Sequence, residues 1–155
     1  MELAFRLLHV LSAVIFFGGL IPVHFLYPVA LRQSDRGARV GALRVVLLAS
    51  RVFLSPGSIL LLITGFGLAG TAHASLRQPW LLAAVVLYLL AAIPTMAILP
   101  RHGRAVLKAA EEAAKNPTAP DPVPAVAANP LAAAVRMFSF IAAWIILGLM
   151  VWHSR

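Results

Sequence analysis

The chain has 155 residues, of which 61% are hydrophobic and only 12% charged; soluble domains carry about 25% charged residues, so a water-soluble enzyme or binding module is excluded. The formal net charge of +8 does not signal nucleic acid, because the basic residues border the apolar runs, where lipid headgroups and the orientation rule account for them. The absence of cysteine excludes disulfides, iron–sulfur clusters, thiolate metal sites and thiol nucleophiles, so any ligand to a metal or cofactor must be His, Met or an oxygen side chain.

The first apolar run, residues 7–31, contains no Lys, Arg, Asp or Glu. It is long enough to cross a bilayer, which takes about 20 residues. Helix one is expected over residues 3–26, with Pro22 and Pro28 kinking or ending it. A cleaved signal peptide is not expected, since only Arg6 precedes the run and no cleavage site follows. His9, Ser12, Phe16 and Gly19 share one face at helical spacing. Arg32 to Arg39 is a short basic segment, followed by a helical stretch over residues 40–50 that carries Arg44 and ends at Arg51.

Helix two is expected over residues 52–71, with Ser55-Pro56-Gly57 early in it. Gly57, Thr64, Gly67 and Thr71 form a small-residue seam of the kind that lets transmembrane helices approach closely. A short polar connection containing His73 and closed by Pro79 leads to helix three, residues 80–99, with Trp80 at its head and Pro94 and Pro100 near its end. Residues 101–115 read as a separate amphipathic helix lying on the membrane surface or projecting into water. Arg101, Arg104, Lys108, Glu111 and Lys115 take one side; Val106, Ala109, Ala110 and Ala113 take the other. Residues 116–130, with five prolines, read as an extended linker reaching roughly 40 Å. Helix four is expected over residues 131–152, with Arg136 snorkelling outward near its start. No internal repeat is evident.

The fold expected is therefore all-α: one integral membrane domain, a four-helix transmembrane bundle with a cytoplasmic amphipathic helix between helices three and four. Lys and Arg concentrate in the first and third connections, ten against three on the other side. Positive charge stays cytoplasmic, which puts both termini outside. The setting expected is a bacterial inner membrane, with the lipid bilayer as the partner and other membrane subunits or a homodimer as further ones.

This orientation sorts His9, His73 and His153 to the outer face and His24 and His102 to the inner one. Neutral imidazole is a good ligand for haem iron, copper or zinc, so the outer three are candidates to converge on a cofactor, with His9 as the metal ligand. The bland alternatives are a His9 that hydrogen-bonds across a helix interface, a His73 and a His153 that are solvated, and a His24 that caps its helix. Arg51 is either a headgroup-snorkelling residue or an inward-facing partner for a carboxylate or propionate. Gly18 and Gly19 make room for a cofactor or for a close helix. Phe16 and Phe17 read as packing surface, and Met96, Met137 and Met150 as gap-fillers. All five acidic residues fall outside the expected bilayer core, which argues against a carboxylate relay through it. No nucleophile elbow or phosphate-binding glycine loop is present.

The ordered motifs Phe5-Arg6-Leu7-Leu8-His9, Phe16-Phe17-Gly18-Gly19-Leu20, Arg51 with Ser55-Pro56-Gly57, Gly65-x-Gly67 and Trp80 resemble a loose superfamily of small bacterial membrane proteins. Its branches are an uncharacterised family of predicted four-helix integral membrane proteins, the HemJ-type membrane protoporphyrinogen oxidases and the copper-resistance D-type proteins. The resemblance covers residues 5–100, and the ending Leu149-Met150-Val151-Trp152-His153 is similar to the uncharacterised branch. The oxidase branch implies b-type haem with His9 as a ligand. Where the oxidases follow the helix-three Trp with Leu-His-x-Lys, this chain has Leu81, Leu82, Ala83 and Ala84, so that activity is not carried over. The functional expectation is a haem b protein with a redox or electron-transfer role. The alternatives are a non-catalytic accessory subunit of a respiratory or photosynthetic complex and a copper-handling protein.

Overall fold

A computed structural model describes residues 2–71 and 78–153. Four long helices are apolar enough to cross a membrane: α1 (Glu2–Leu31), α2 (Arg36–Thr71), α3 (Pro79–Lys115) and, after the single turn α4 (Val123–Ala127), α5 (Pro130–His153). No strand occurs among the described residues. The helices close into a ring in chain order. Phe16 of α1 lies on Gly57 of α2. Ser58 of α2 is bonded to Tyr88 of α3, and Thr95 of α3 to Ser139 of α5. Trp144 of α5 returns to Phe17 of α1.

The helices are longer than hydropathy alone implies, and three boundaries need correction. Helix one does not stop at residue 26: α1 runs on to Leu31 through a wide π turn, Pro22–Leu26. Helix two starts at Arg36, and the segment over residues 40–50 joins it through a second π turn, Ser50–Leu54. Each turn has a proline nearby whose ring would crowd a carbonyl four residues earlier, His24 for Pro28 and Val52 for Pro56. Widening the turn moves that carbonyl away without breaking the helix. Helix three and the amphipathic segment are one helix, α3, with Pro94 and Pro100 inside it.

The segment 101–115 projects beyond the bundle and packs against the first half of α2, which accounts for its two faces. Val106, Ala109, Ala110 and Ala113 are buried, and Arg101, Arg104 and Lys108 are exposed. The largest buried cluster lies at this basic end: Tyr27 and Ala30 of α1, Val40, Leu43 and Val46 of α2, Val106 of α3 and Val123 of α4. Leu43, Val106 and Val123 are sealed there, each contributing about 1.5–3 kcal/mol. Along the membrane-spanning parts, by contrast, Leu7, Val10, Val14, Ile63 and Ile93 are all more than half exposed, as lipid-facing side chains are.

The proline-rich connection is not the extended linker its composition suggests. Asp121 Oδ1 accepts from the Val123 backbone N–H and opens the helical turn α4. Arg36 donates to the carbonyls of Ala113, Asn116 and Ala119, tying the end of α3 down. Arg39 binds Asp121 and the Gln33 carbonyl. Asp35 caps α2 through the Ala38 N–H, and Asn129 caps α5 through the Ala132 N–H.

Candidate functional site

The face of α1 that carries His9 is turned onto the small-residue seam of α2, and the two interlock from end to end. The Phe5 ring lies over Gly67, His9 over Gly65, Phe16 over Gly57, and Gly19 against the backbone of Leu54. A Cβ on Gly57 would stand 2.6 Å from the Phe16 nitrogen, so the close approach depends on glycine. Such contacts replace the hydrophobic driving force that lipid does not supply.

His9 sits in the middle of this seam. Its Nδ1 is 3.0 Å from Thr64 Oγ1. The single hydroxyl proton of Thr64 goes to the Leu60 carbonyl at 2.7 Å, so His9 Nδ1–H is the donor of the pair. That tautomer leaves the lone pair on Nε2. The ring also lies near the Leu61 carbonyl, and Nε2 is not a buried nitrogen without a partner, as His24 Nδ1 is. A histidine oriented through one ring nitrogen, with the other left basic and accessible, has the form that metal-binding histidines take. Arg6 is three residues away on the same helix, paired to Glu2 at 2.7 Å.

The other residues suggested by sequence are not gathered around His9. Gly18 has open space about it, whereas Gly19 is consumed by the helix contact with Leu54. Gly19 lies ten residues from His9, about 15 Å along the axis. Arg51 is exposed in the π turn beside Leu54, at that far end of the seam. His73 lies outside the described residues, and of His153 only the helical backbone is described, at the end of α5. Among the described residues no group of three His, Asp or Glu could hold a metal ion together.

A second cluster lies at the basic end. His24 does not cap α1; it stacks on Phe140 of α5, with ring centres 3.8 Å apart and planes 9° from parallel, and its Nδ1 is buried without a partner. Tyr27 Oη is 3.4 Å from His102 Nε2 of α3. Arg136, instead of reaching outward, lies over the Tyr27 ring at 5.1 Å. Charge sorting alone placed His24, His102 and Arg136 at one end of the bundle, and that was the available signal. The contacts themselves join three different helices and have no local signature.

The comparison with known families decides the membership. The model described as "Predicted integral membrane protein (DUF2269)" matches residues 3–154. The chain belongs to this family. It is therefore an integral membrane protein of the DUF2269 type, in keeping with the uncharacterised branch that its motifs resemble. No curated protein and no solved structure matches the chain. For a DUF2269 member the two places where chemistry could concentrate are thus the accessible nitrogen of His9 and the basic-end cluster around Tyr27.

Proposed function

We propose that the protein holds a b-type haem through Nε2 of His9 and serves as a small one-electron carrier in the bacterial inner membrane. The observation that carries this reading is the His9–Thr64 hydrogen bond, which fixes the imidazole tautomer and leaves Nε2 as a free base. One imidazole nitrogen, that of His9, would hold the group, and Arg6, paired to Glu2, would offer a cation to a propionate within a helical turn. The seam itself is closed by Phe5, Phe16 and Gly19, so the group is approached from outside the α1–α2 pair. Bound haem would supply a reversible ferric–ferrous couple; the chain's own part is to orient the ligand through Thr64 and to keep water from it with the surrounding apolar helices. His73 and His153 are the candidates for a second ligand.

The basic end is placed in the cytoplasm on the positive-inside rule, with both termini outside. Because the chain has no cysteine, single cysteines introduced at residues 2 and 118 and labelled from either side of the membrane test this cleanly. Label from outside must reach position 2 and not position 118.

The deciding experiment for haem is the absorption spectrum of the full chain purified in mild detergent from haem-replete cells. A Soret band that shifts on reduction, is lost in His9→Ala and is weakened in Thr64→Val supports the reading. No band, or a band that survives His9→Ala, overturns it. Copper found by metal analysis in place of the band assigns His9 to copper handling instead. Neither metal, with fixed-stoichiometry recovery in a larger assembly, makes the chain an accessory subunit.

A further inference from the structure

The chain holds thirteen Lys and Arg against five Asp and Glu, and the carboxylates are already engaged. Glu2 pairs with Arg6, Asp121 with Arg39, Glu111 with Arg44 and Glu112 with Lys108, while Asp35 caps α2. Arg101 and Arg136 are among the cations left without a carboxylate among the described residues, together with Arg32, Arg36, Arg51, Arg104 and Lys115. Arg101 and Arg136 stand at the level where α3 and α5 pass from the apolar bundle to the basic end, and beside Arg101 there is a wide-open surface cavity of about 400 Å³.

The cavity lies between α3 and the α4–α5 connection, and its lining is two-sided. Ala97, Ile98 and Val126 form an apolar part; Arg101, His102 and Asn129 form a polar one. The polar side is rich in donors. Asn129 spends its side-chain oxygen on the Ala132 N–H, which leaves its amide N–H groups to donate. Arg101 has its whole guanidinium fork free among the described residues, and that fork matches phosphate oxygens. His102 is fixed through Nε2 to Tyr27, which lies in turn under Arg136.

We infer that this cavity binds the phosphate of an anionic membrane lipid, the headgroup lying against Arg101 and Asn129 and the acyl chains running down the outside of α3. The lipid is favoured over a free phosphate by what lies beside the polar wall. Arg101, Ala97 and Ile93 follow at four-residue spacing on one exposed stripe, continued by Leu90 and Val86. Ile93 is 64% exposed and Leu90 58%. From Arg101 to Leu90 the helix rises about 16 Å, which is half of the roughly 30 Å hydrocarbon core. A free phosphate would use none of this stripe, whereas a phospholipid uses the polar wall and the stripe together.

The test uses the full chain, delipidated in detergent and exposed to mixed micelles of phosphatidylglycerol or phosphatidylcholine, with bound lipid counted by native mass spectrometry. Phosphatidylglycerol is expected to bind at least about tenfold more tightly, a difference of about 1.4 kcal/mol. Arg101→Gln removes the fork, and Val126→Trp fills the cavity without changing charge. Each is expected to lower phosphatidylglycerol occupancy about tenfold, by the same arithmetic. Arg32→Gln, an exposed cation at the same end but outside the cavity, should leave it unchanged. Circular dichroism and elution volume confirm that each variant is folded. Equal binding of the two lipids, an equal loss in Arg32→Gln, or full occupancy in Val126→Trp overturns the inference. Displacement of the lipid by inorganic phosphate makes the cavity a free-anion site and overturns it as well.

Discussion

Arg39 on α2 is ion-paired to Asp121, 82 positions later in the proline-rich connection, and the same guanidinium donates to the Gln33 carbonyl. The hydrogen bond from Arg39 holds the Asp121 carboxyl below the usual carboxylate range, against the smaller opposing effect of desolvation. A carboxylate with a depressed folded-state pKa contributes stability that is full above its unfolded value, about 3.9, and is lost as the pH falls through the folded one. Acidification should therefore loosen the connection around α4 before the bundle opens. Asp121→Asn should do so already at pH 7, at a cost of about 1.5–3 kcal/mol, because it removes hydrogen bonding to a charged group. Amide hydrogen exchange over residues 116–129 measures both, and the variant should lose the acid dependence of the wild type. Unchanged exchange in Asp121→Asn would show that the pair does not hold the connection.

Arg36 should matter for a different reason. Its guanidinium collects three carbonyls at the end of α3, from Ala113, Asn116 and Ala119. Lysine keeps the charge but lacks the planar fork. Arg36→Lys is expected to recover less than half of the stability lost in Arg36→Ala, itself about 1.5–3 kcal/mol from charged hydrogen bonds. Thermal unfolding in detergent, followed by fluorescence, reads the difference.

Adjacent glycines should behave in opposite ways. Gly19→Ala drives a methyl into the backbone of Leu54, which cannot step aside, and overpacking of this kind costs about 1–3 kcal/mol. Gly18→Ala meets nothing within 4 Å. It should be neutral or stabilising by up to about 1 kcal/mol through helix propensity. Unfolding midpoints of the two variants, measured side by side, check the register of α1 on α2.

The His9–Thr64 bond can be weighed apart from any bound group. A double-mutant cycle of His9→Ala and Thr64→Val, measured on the protein without cofactor, should give a coupling of about 0.6 kcal/mol and no more than about 1.7, the range for hydrogen bonds between transmembrane helices. A coupling near zero would mean that the ring is not held by Thr64, and the tautomer argument for Nε2 would go with it.

Much of this was legible beforehand because its causes are local. A charge-free run of bilayer length, a seam of Gly57, Thr64 and Gly67 at helical spacing, and the two-sided segment 101–115 each follow from residue type and periodicity. The contacts of His24 with Phe140 and of Tyr27 with His102 and Arg136 were not legible, since they join residues brought together only when α1, α3 and α5 pack. Prolines misled at helix ends, because Pro94 and Pro100 sit within α3, and Pro28 and Pro56 each follow a π turn that lets the helix continue.

The sequence by itself determined that four helices are long and apolar enough to span a bilayer and that charge gathers at one end, because transfer of apolar side chains and exclusion of charge depend on composition and length alone. Only the tertiary structure decided where the core lies. The sealed residues Leu43, Val106 and Val123 sit together at the basic end, and along the apolar spans the helices are held by glycine contacts and hydrogen bonds such as His9–Thr64. In lipid an exposed leucine costs nothing, so the close approach of backbones, which needs Gly19 and Gly57 to face the partner helix, chooses the pairing.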